Sequence, residues 1–176
     1  MRYADTTFGS AEAVMNKLGG LEGIERFLAG DSEIVIRRHV INTTLPPHYD
    51  DESFAVAKHT PLRLNKGRLH WDLTQIGVLQ VDRSAVENGM SIEDYLREVS
   101  DESFLNARVR DYLMKYPSLI PEAWQVHTLC FAGTIFRGRR GRYLPTLQFS
   151  VGEWYDIYEP MAEKLKAEMV VVAAHK

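Results

Sequence analysis

Four arginines lie within six consecutive residues, and their arrangement predicts contact with phosphate groups. The stretch reads Arg137, Gly138, Arg139, Arg140, Gly141, Arg142. Paired glycines around two residues are typical of a tight hairpin turn, and positive charge on a protruding loop favours binding to a phosphate backbone because condensed counterions are released. The neighbouring Phe136 and Tyr143 could stack on unpaired bases. The same pattern also fits a solvated turn whose arginines keep a sheet edge soluble, so both interpretations stay open.

Two pairs of imidazole and carboxylate side chains could bind a metal ion. His48 and Asp50, and likewise His70 and Asp72, are separated by one residue, which places both groups of a pair on one face of an extended strand. Imidazole and carboxylate bind zinc or iron, so two converging pairs would form a four-ligand site. Additional ligands could come from His39, Asp51 and Glu52. The alternative is that these groups are solvated, since no cysteine pair or His-Glu helical motif accompanies them.

The chain offers no motif for nucleophilic catalysis. It lacks a Gly-x-Ser-x-Gly sequence, and Cys130 lies in the apolar run LCFAG, where a thiol packs as a small hydrophobe. Gly19, Gly20 and Gly23 lack the preceding strand and the following Lys-Ser or Lys-Thr of a phosphate-binding loop. Catalytic residues are therefore unknown, and an enzyme is the less favoured interpretation.

Composition places the chain among ordinary globular proteins. Its 176 residues are 45% hydrophobic and 26% charged, which is typical of one domain spanning residues 1–176 with its own core. The net charge of −3 gives no overall attraction to nucleic acid or to an anionic membrane, so any such attraction must be local. The first residues lack a secretory signal and no apolar run approaches the roughly 20 residues of a membrane span. We therefore expect a cytoplasmic protein without membrane contact.

Helical periodicity predicts three groups of helices. Apolar residues three and four apart indicate a helical pair between Phe8 and Gly30. Ser91 followed by Asp94 is typical of a helix start and predicts a helix over Ile92–Val99, and a further helix over Asn106–Lys115 should end before Pro117. After Pro160, the spacing of Met161, Leu165 and Met169 favours a C-terminal helix.

Runs of β-branched and aromatic residues predict the strands. The first strand is Ser32–Asn42, followed by an exposed loop over Asn42–Glu52. One or two strands with Trp71 packed inside are expected over Phe54–Leu79. An antiparallel meander should occupy Val126–Tyr158, with its breaks at the arginine turn and at Gly152. Together these elements predict an α+β fold, in which an N-terminal helical pair and central helices pack on a mainly antiparallel sheet.

Three segments resemble a family of uncharacterised bacterial proteins. They are KLGGLEGIERFL, LNARVRDYLMKYPSLIPEAW and AGTIFRG, which begin at Lys17, Leu105 and Ala132. Their order and spacing also look like that family's, and the resemblance covers about two thirds of the chain. It implies one coherent domain but no activity, cofactor or site residue. After about Val151 the chain departs from the family's Trp-rich strands.

The sequence therefore favours a non-catalytic cytoplasmic binding or adaptor protein. Its partner would be another protein, or nucleic acid contacted through Arg137, Arg139, Arg140 and Arg142. No cofactor is predicted for this function. The competing hypothesis is a small metal-dependent hydrolase in which a divalent ion, held by some of His48, Asp50, His70 and Asp72, activates water. A third is a structural protein that forms homo-oligomers.

Overall fold

The computed structural model describes residues 39–48, 53–62, 64–99 and 103–174, with residues 64 and 65 described by their backbone alone. These residues all belong to one compact unit, Arg38–Lys176. The expected helical pair and most of the expected first strand lie outside the described residues. The single domain over residues 1–176 stays a prediction.

Nine strands in this part of the chain form two sheets. Seven of them build one large, mainly antiparallel sheet in the order β2-β6-β7-β5-β9-β4, with β8 paired to the other edge of β7, and β1 pairs with β3 in a small separate sheet. The strands are β1 (Val40–Asn42), β2 (Ala55–His59), β3 (Arg68–His70), β4 (Ile76–Gln80), β5 (Thr128–Cys130), β6 (Thr134–Gly138), β7 (Gly141–Ser150), β8 (Glu153–Pro160) and β9 (Met169–Ala174).

The large sheet divides at Gly133. Strands β5 and β6 pair with the same strand, β7, and the residues Phe131–Gly133 interrupt them. Beyond this break, β5 continues to β9 while β6 continues to β2. Gly133 donates its backbone N–H to Leu105 and accepts from Thr60, so three segments of chain meet there. The predicted meander is confirmed for β6, β7 and β8, but its first run is two strands.

Helices lie over both faces of the sheet. They are α1 (Arg83–Glu87), α2 (Ile92–Glu98) and α3 (Ala107–Lys115), and short 3-10 turns cover Leu64–Gly67, Pro117–Leu119 and Glu122–Trp124. One core lies against α3 and contains Val109 and Leu113. The second core lies against α1 and α2 and contains Ala85 and Ile92. The fold is therefore α+β, as the sequence predicts, with a sheet covered on both faces.

The predicted C-terminal helix is wrong. Residues 161–163 form a turn, and β9 (MVVVAA) is a strand in which every residue is buried. β9 pairs in parallel with β5 and antiparallel with β4. Met169 and Val171 face the core beside α2, while Val170 and Val172 face the core beside α3. A central strand that is buried on both faces reads as a continuous apolar run rather than as alternation.

The two capped helices are confirmed. Ser91 accepts a hydrogen bond from the backbone N–H of Asp94 at 3.1 Å and begins α2. Asn106 accepts from the backbone N–H of Arg108 at 3.2 Å and begins α3. The five-residue helix α1 was not expected, although Asp82 caps it in the same way.

The region before α1 differs from the sequence expectation in two ways. It contains three strands, β2, β3 and β4, rather than one or two, and Trp71 follows β3 instead of lying inside a strand. Trp71 is half-buried against the core beside α3, and its indole N–H donates to the Leu119 carbonyl at 3.1 Å. The expected exposed loop after Asn42 is partly wrong, because Thr43 and Pro47 are buried.

A network of buried hydrogen bonds connects the loop after Asn42 to the large sheet. Thr43 donates to the Gly67 carbonyl at 2.8 Å, and its own carbonyl accepts from Asn106 at 2.9 Å. The same carbonyl lies 3.0 Å from Nε2 of His59, whose Nδ1 lies 2.9 Å from the Thr134 hydroxyl. Because a carbonyl only accepts, His59 must carry a proton on Nε2. These contacts position β2 beside β6, where the arginine hairpin begins.

Candidate anion-binding site at the arginine hairpin

The arginine stretch forms the predicted tight hairpin between β6 and β7. Gly138 and Gly141 are cross-strand partners, so Arg139 and Arg140 are the two turn residues, and both are exposed. Gly141 has a φ of 131°, a backbone conformation that favours glycine. The turn therefore presents two guanidinium groups to solvent at the end of the sheet.

Arg137 and Arg142 lie directly opposite each other on the two strands of the hairpin. Cross-strand partners share one face of a sheet, and like charges in these positions repel each other. Arg142 is partly compensated because its Nη1 lies 3.0 Å from Oε1 of Glu93 on α2. Arg137, Arg139 and Arg140 form no ion pair with any of the described residues. The hairpin thus concentrates positive charge that this part of the protein leaves largely uncompensated.

A cleft of about 580 Å³ opens beside the base of the hairpin. Strands β2 and β6 form one wall, where Lys58 lies opposite Ile135, and helix α2 forms the other with Glu93, Leu96 and Arg97. The remaining lining residues are Thr60, Phe104, Ala132, Gly133, Arg142 and Met161. A second cavity of about 330 Å³, lined by Ala57 and Arg137, shares Lys58, Ile135 and Arg142 with the cleft.

The cleft combines an apolar lining with a charged rim. Three cationic side chains, those of Lys58, Arg97 and Arg142, line the cleft together with the carboxylate of Glu93. This carboxylate contacts Arg142 at 3.0 Å and Arg97 at 3.4 Å, and Arg97 also pairs with Asp94 at 3.0 Å. The rim keeps a net positive charge, while the lining presents apolar side chains.

Sequence reasoning identified the hairpin but missed the cleft. Lys58, Glu93 and Arg97 come from two segments far from the arginine stretch, and no motif connects them. The cap at Ser91 predicted helix α2 but could not show which strand the helix faces. The only available signal was Arg97 four residues after Glu93, a spacing that is common on solvated helices.

The proposed stacking of bases on Phe136 is wrong. Its side chain is fully buried and contacts Phe54 and Tyr158. Tyr143 is half-buried and packs edge-on against Phe54 with ring centroids 5.0 Å apart. The hairpin therefore offers guanidinium groups rather than free aromatic faces.

The structure describes three of the four candidate metal ligands, His48, His70 and Asp72, and their local surroundings differ. His48 donates its backbone N–H to Asp111 at 2.7 Å, and its carbonyl accepts from Arg110 at 3.3 Å. His70 lies exposed on β3, while Asp50 lies outside the described residues. Asp72 accepts from the backbone and side chain of Thr74, and these hydrogen bonds lower the pKa of its carboxyl group. His39 lies 2.8 Å from the Tyr112 hydroxyl.

Among the residues that the structure describes, no group of three or more His, Cys, Asp or Glu side chains lies close enough together to hold a metal ion. A site that includes Asp50 stays a prediction, as do Asp51 and Glu52 as additional ligands.

Cys130 is confirmed as a core residue. It is buried beside α2, and its thiol lies 3.7 Å from the Thr128 carbonyl. Burial raises the pKa of the thiol to about 12, because ionisation in an apolar environment is costly. Cys130 therefore stays a neutral thiol at physiological pH, as packing rather than catalysis requires.

Comparisons of the chain with models of protein families, with curated proteins and with solved structures gave no match. None of the helices that the structure describes is both long and apolar enough to cross a membrane. Function must therefore be argued from the geometry of the hairpin and the cleft beside it.

Proposed function

We propose that this protein is a non-catalytic nucleic-acid-binding protein of the cytoplasm that contacts the phosphate backbone through the β6–β7 hairpin. The observation that carries this proposal is the positive charge of the hairpin, which the described residues leave largely uncompensated. Arg137, Arg139 and Arg140 are exposed and make no ion pair among the described residues. Uncompensated arginines on a protruding turn are suited to phosphate, which guanidinium groups bind with two parallel hydrogen bonds.

The hairpin favours backbone contact over base recognition. Base stacking needs accessible aromatic faces, whereas Phe136 is buried and Tyr143 packs on Phe54. Phosphate contacts position a protein on a duplex without reading its sequence. We therefore expect binding to double-stranded nucleic acid, with weak sequence preference and strong salt dependence.

The overall negative charge of the chain is compatible with this proposal. Exposed charges farther apart than about 8 Å are largely screened at physiological ionic strength, so a local cluster can act on its own. Because the net charge of the chain is −3, the rest of the protein surface should attract nucleic acid only weakly.

Fluorescence anisotropy of labelled DNA and RNA, each single- and double-stranded, tests the proposal. The variant Arg139→Glu, Arg140→Glu reverses both turn charges without touching the core. Arg68→Glu, Arg83→Glu is the matched control, because it changes the same charge on β3 and α1, away from the hairpin, at exposed positions. We expect the turn variant to lose at least tenfold in duplex affinity at physiological salt and the control to lose less than threefold.

Equal losses in the two variants would contradict the proposal, because the net charge of the molecule would then explain binding. Absence of duplex binding by the native protein at low salt would also contradict it. Tighter binding to single strands than to duplexes would overturn the preference for backbone contact. Far-ultraviolet circular dichroism of each variant separates these results from a loss of structure.

A further inference from the structure

We propose that the cleft between helix α2 and strands β2, β6 and β7 binds a small amphipathic anion, a single phosphate or carboxylate group carried on an apolar body. This site goes beyond the proposed nucleic-acid interface. It uses Lys58, Arg97 and Arg142 at its rim, whereas the interface depends on the turn residues Arg139 and Arg140.

The size of the cleft fits a small molecule. Its volume of about 580 Å³ lies within the range of small-molecule sites. It lies where the sheet divides at Gly133, and it is bounded by regular elements on both sides. Pockets built on strands and helices keep their shape better than pockets built on loops.

The cations of the cleft lie on both sides of its opening. Lys58 is opposite Ile135 on the β2–β6 pair, and Arg142 is on β7, so both project from the same face of the sheet. Arg97 faces them from α2. An anion between the two sides would be approached by cationic donors from opposite directions, which is an arrangement that favours a compact charged group.

Glu93 marks where the anionic group would bind. Its Oε1 bridges the cleft by contacting Arg142 on the sheet at 3.0 Å and Arg97 on the helix at 3.4 Å. Its side chain is two-thirds buried, with 33% of its surface exposed. We infer that this carboxylate takes the place of a ligand anion and competes with it for the same two guanidinium groups.

The apolar lining defines the rest of the ligand. Leu96, Phe104, Ala132, Ile135 and Met161 line the cleft beneath the charged rim. Phe104, Ala132 and Met161 are buried, whereas Ile135 and Leu96 are partly accessible. A fully solvated anion such as inorganic phosphate would leave this surface wet. A ligand with an aromatic or aliphatic body would cover it, and burial of apolar area favours binding.

Two-dimensional ¹H–¹⁵N NMR titrations of the full chain test the site. Phenyl phosphate is the probe, with inorganic phosphate and benzyl alcohol as partial ligands that lack the body or the charge. We expect phenyl phosphate to bind at least tenfold more tightly than either partial ligand, with the largest shift changes at the amides of Leu96, Ala132, Gly133 and Ile135. Octyl phosphate and octanoate then show whether the body is aromatic or aliphatic and whether the anion is phosphate or carboxylate.

Two substitutions should change the affinity in opposite directions. Arg142→Gln removes a cation from the rim and should weaken phenyl phosphate binding by about tenfold. Glu93→Gln removes the competing carboxylate and should strengthen it by about two- to fivefold. The pair Arg83 and Glu87 on α1 provides matched controls, because it joins the same residue types at 2.8 Å on an exposed helix surface. Arg83→Gln and Glu87→Gln should leave the affinity unchanged.

Several results would overturn the inference. Phenyl phosphate could bind no better than inorganic phosphate, the shift changes could lie outside the cleft, or Glu93→Gln could weaken binding or behave like Glu87→Gln. The spectra themselves report folding, and Glu93→Gln keeps the test decisive if Arg142→Gln is unfolded. The variant Arg139→Glu, Arg140→Glu should bind phenyl phosphate within twofold of the native protein. Failure of duplex binding and failure of the cleft site are therefore distinguishable.

Discussion

At the scale of single residues, Gly133 shows how closely the segments pack where the sheet divides. A Cβ atom at this position would lie 2.7 Å from the Phe104 carbonyl oxygen and 3.0 Å from the Asn106 Cβ. The carbonyl belongs to the backbone and cannot move away alone. The glycine is therefore required by the close approach of two chain segments rather than by a positive φ.

The substitution Gly133→Ala should lower the free energy of unfolding by about 2 kcal/mol, because overpacking forces the backbone to shift. Urea denaturation measures this loss. Gly138→Ala is a suitable comparison, since its Cβ would meet the side chains of Tyr143 at 2.9 Å and Phe54 at 3.0 Å. These rings can turn aside, so a smaller loss is expected. A larger loss in the free energy of unfolding for Gly138→Ala than for Gly133→Ala would contradict the close approach of chain segments at Gly133.

Burial of Cys130 predicts a pH dependence of stability. The pKa of the thiol rises from 9.0 to about 12 in the folded protein. Between these values the unfolded chain has lost the proton that the folded chain keeps, so the stability contributed by Cys130 falls as the pH rises. Between these values the free energy of unfolding should fall by about 1.4 kcal/mol per pH unit.

Denaturation of the native protein and of Cys130→Ala at several pH values above 9 isolates this contribution, since the other groups titrate equally in both proteins. The native protein should lose more stability than the variant as the pH increases. In addition, the folded protein should react with a thiol reagent at pH 8 only as fast as it unfolds. Parallel pH profiles or rapid labelling would show that the thiol is accessible.

At the scale of elements, the turn of the β7–β8 hairpin contains a valine in a backbone conformation that is unfavourable for this residue type. Its turn is Val151–Gly152, with φ angles of 49° and 86°, and Val151 is 94% exposed. Positive φ at both central residues is typical of the I′ turns that join hairpins, in which Asn-Gly is preferred. A β-branched residue is strained in this conformation.

Val151→Asn should therefore raise the free energy of unfolding by about 1 kcal/mol. Thermal and urea denaturation would show a higher midpoint with an unchanged m-value. Val126→Asn serves as the control, because Val126 is also exposed, at 75%, but has no positive φ. Equal effects of the two substitutions would mean that loss of exposed apolar surface, rather than turn geometry, explains the change.

The elements also show which parts of the fold could be predicted from sequence. Helices α2 and α3 were predictable because a cap residue and a periodic apolar face agree in each. The hairpins were predictable because turn glycines separate β-rich runs. Prediction failed for β9, where Met161, Leu165 and Met169 have helical spacing by coincidence: the first two pack from a turn and a coil. Burial of β9 between two cores depends on partners that are distant in sequence.

At the scale of the whole molecule, the sheet brings charged residues that are far apart in the chain together on one surface. The arginines of the hairpin are adjacent in sequence, so composition alone revealed them. Lys58, Arg97 and Glu93 join them only because β2 pairs with β6 and because α2 packs on the same face. This part of the candidate site was not predictable, since neither strand order nor helix placement is encoded locally.

The division of the sheet at Gly133 also shapes the surface beside the hairpin. It leaves a cleft with an apolar lining next to a hairpin whose charge the described residues leave largely uncompensated. A phosphate backbone and a small amphipathic anion would then be bound by neighbouring but different residues. Arg142 lies between the two surfaces and pairs with Glu93, so its substitution should affect both, whereas substitution of Arg139 should affect only the hairpin.

The salt dependence of duplex DNA binding tests the central claim most directly, because it counts phosphate contacts. A plot of log Kd against log salt concentration should lose about 0.9 units of slope for each phosphate contact removed. The variant Arg139→Gln, Arg140→Gln should therefore reduce the slope by about 1.8, which corresponds to two phosphate contacts. The control variant Arg68→Gln, Arg83→Gln should leave the slope unchanged. Identical slopes for the native protein and the turn variant would show that the hairpin does not contact the phosphate backbone.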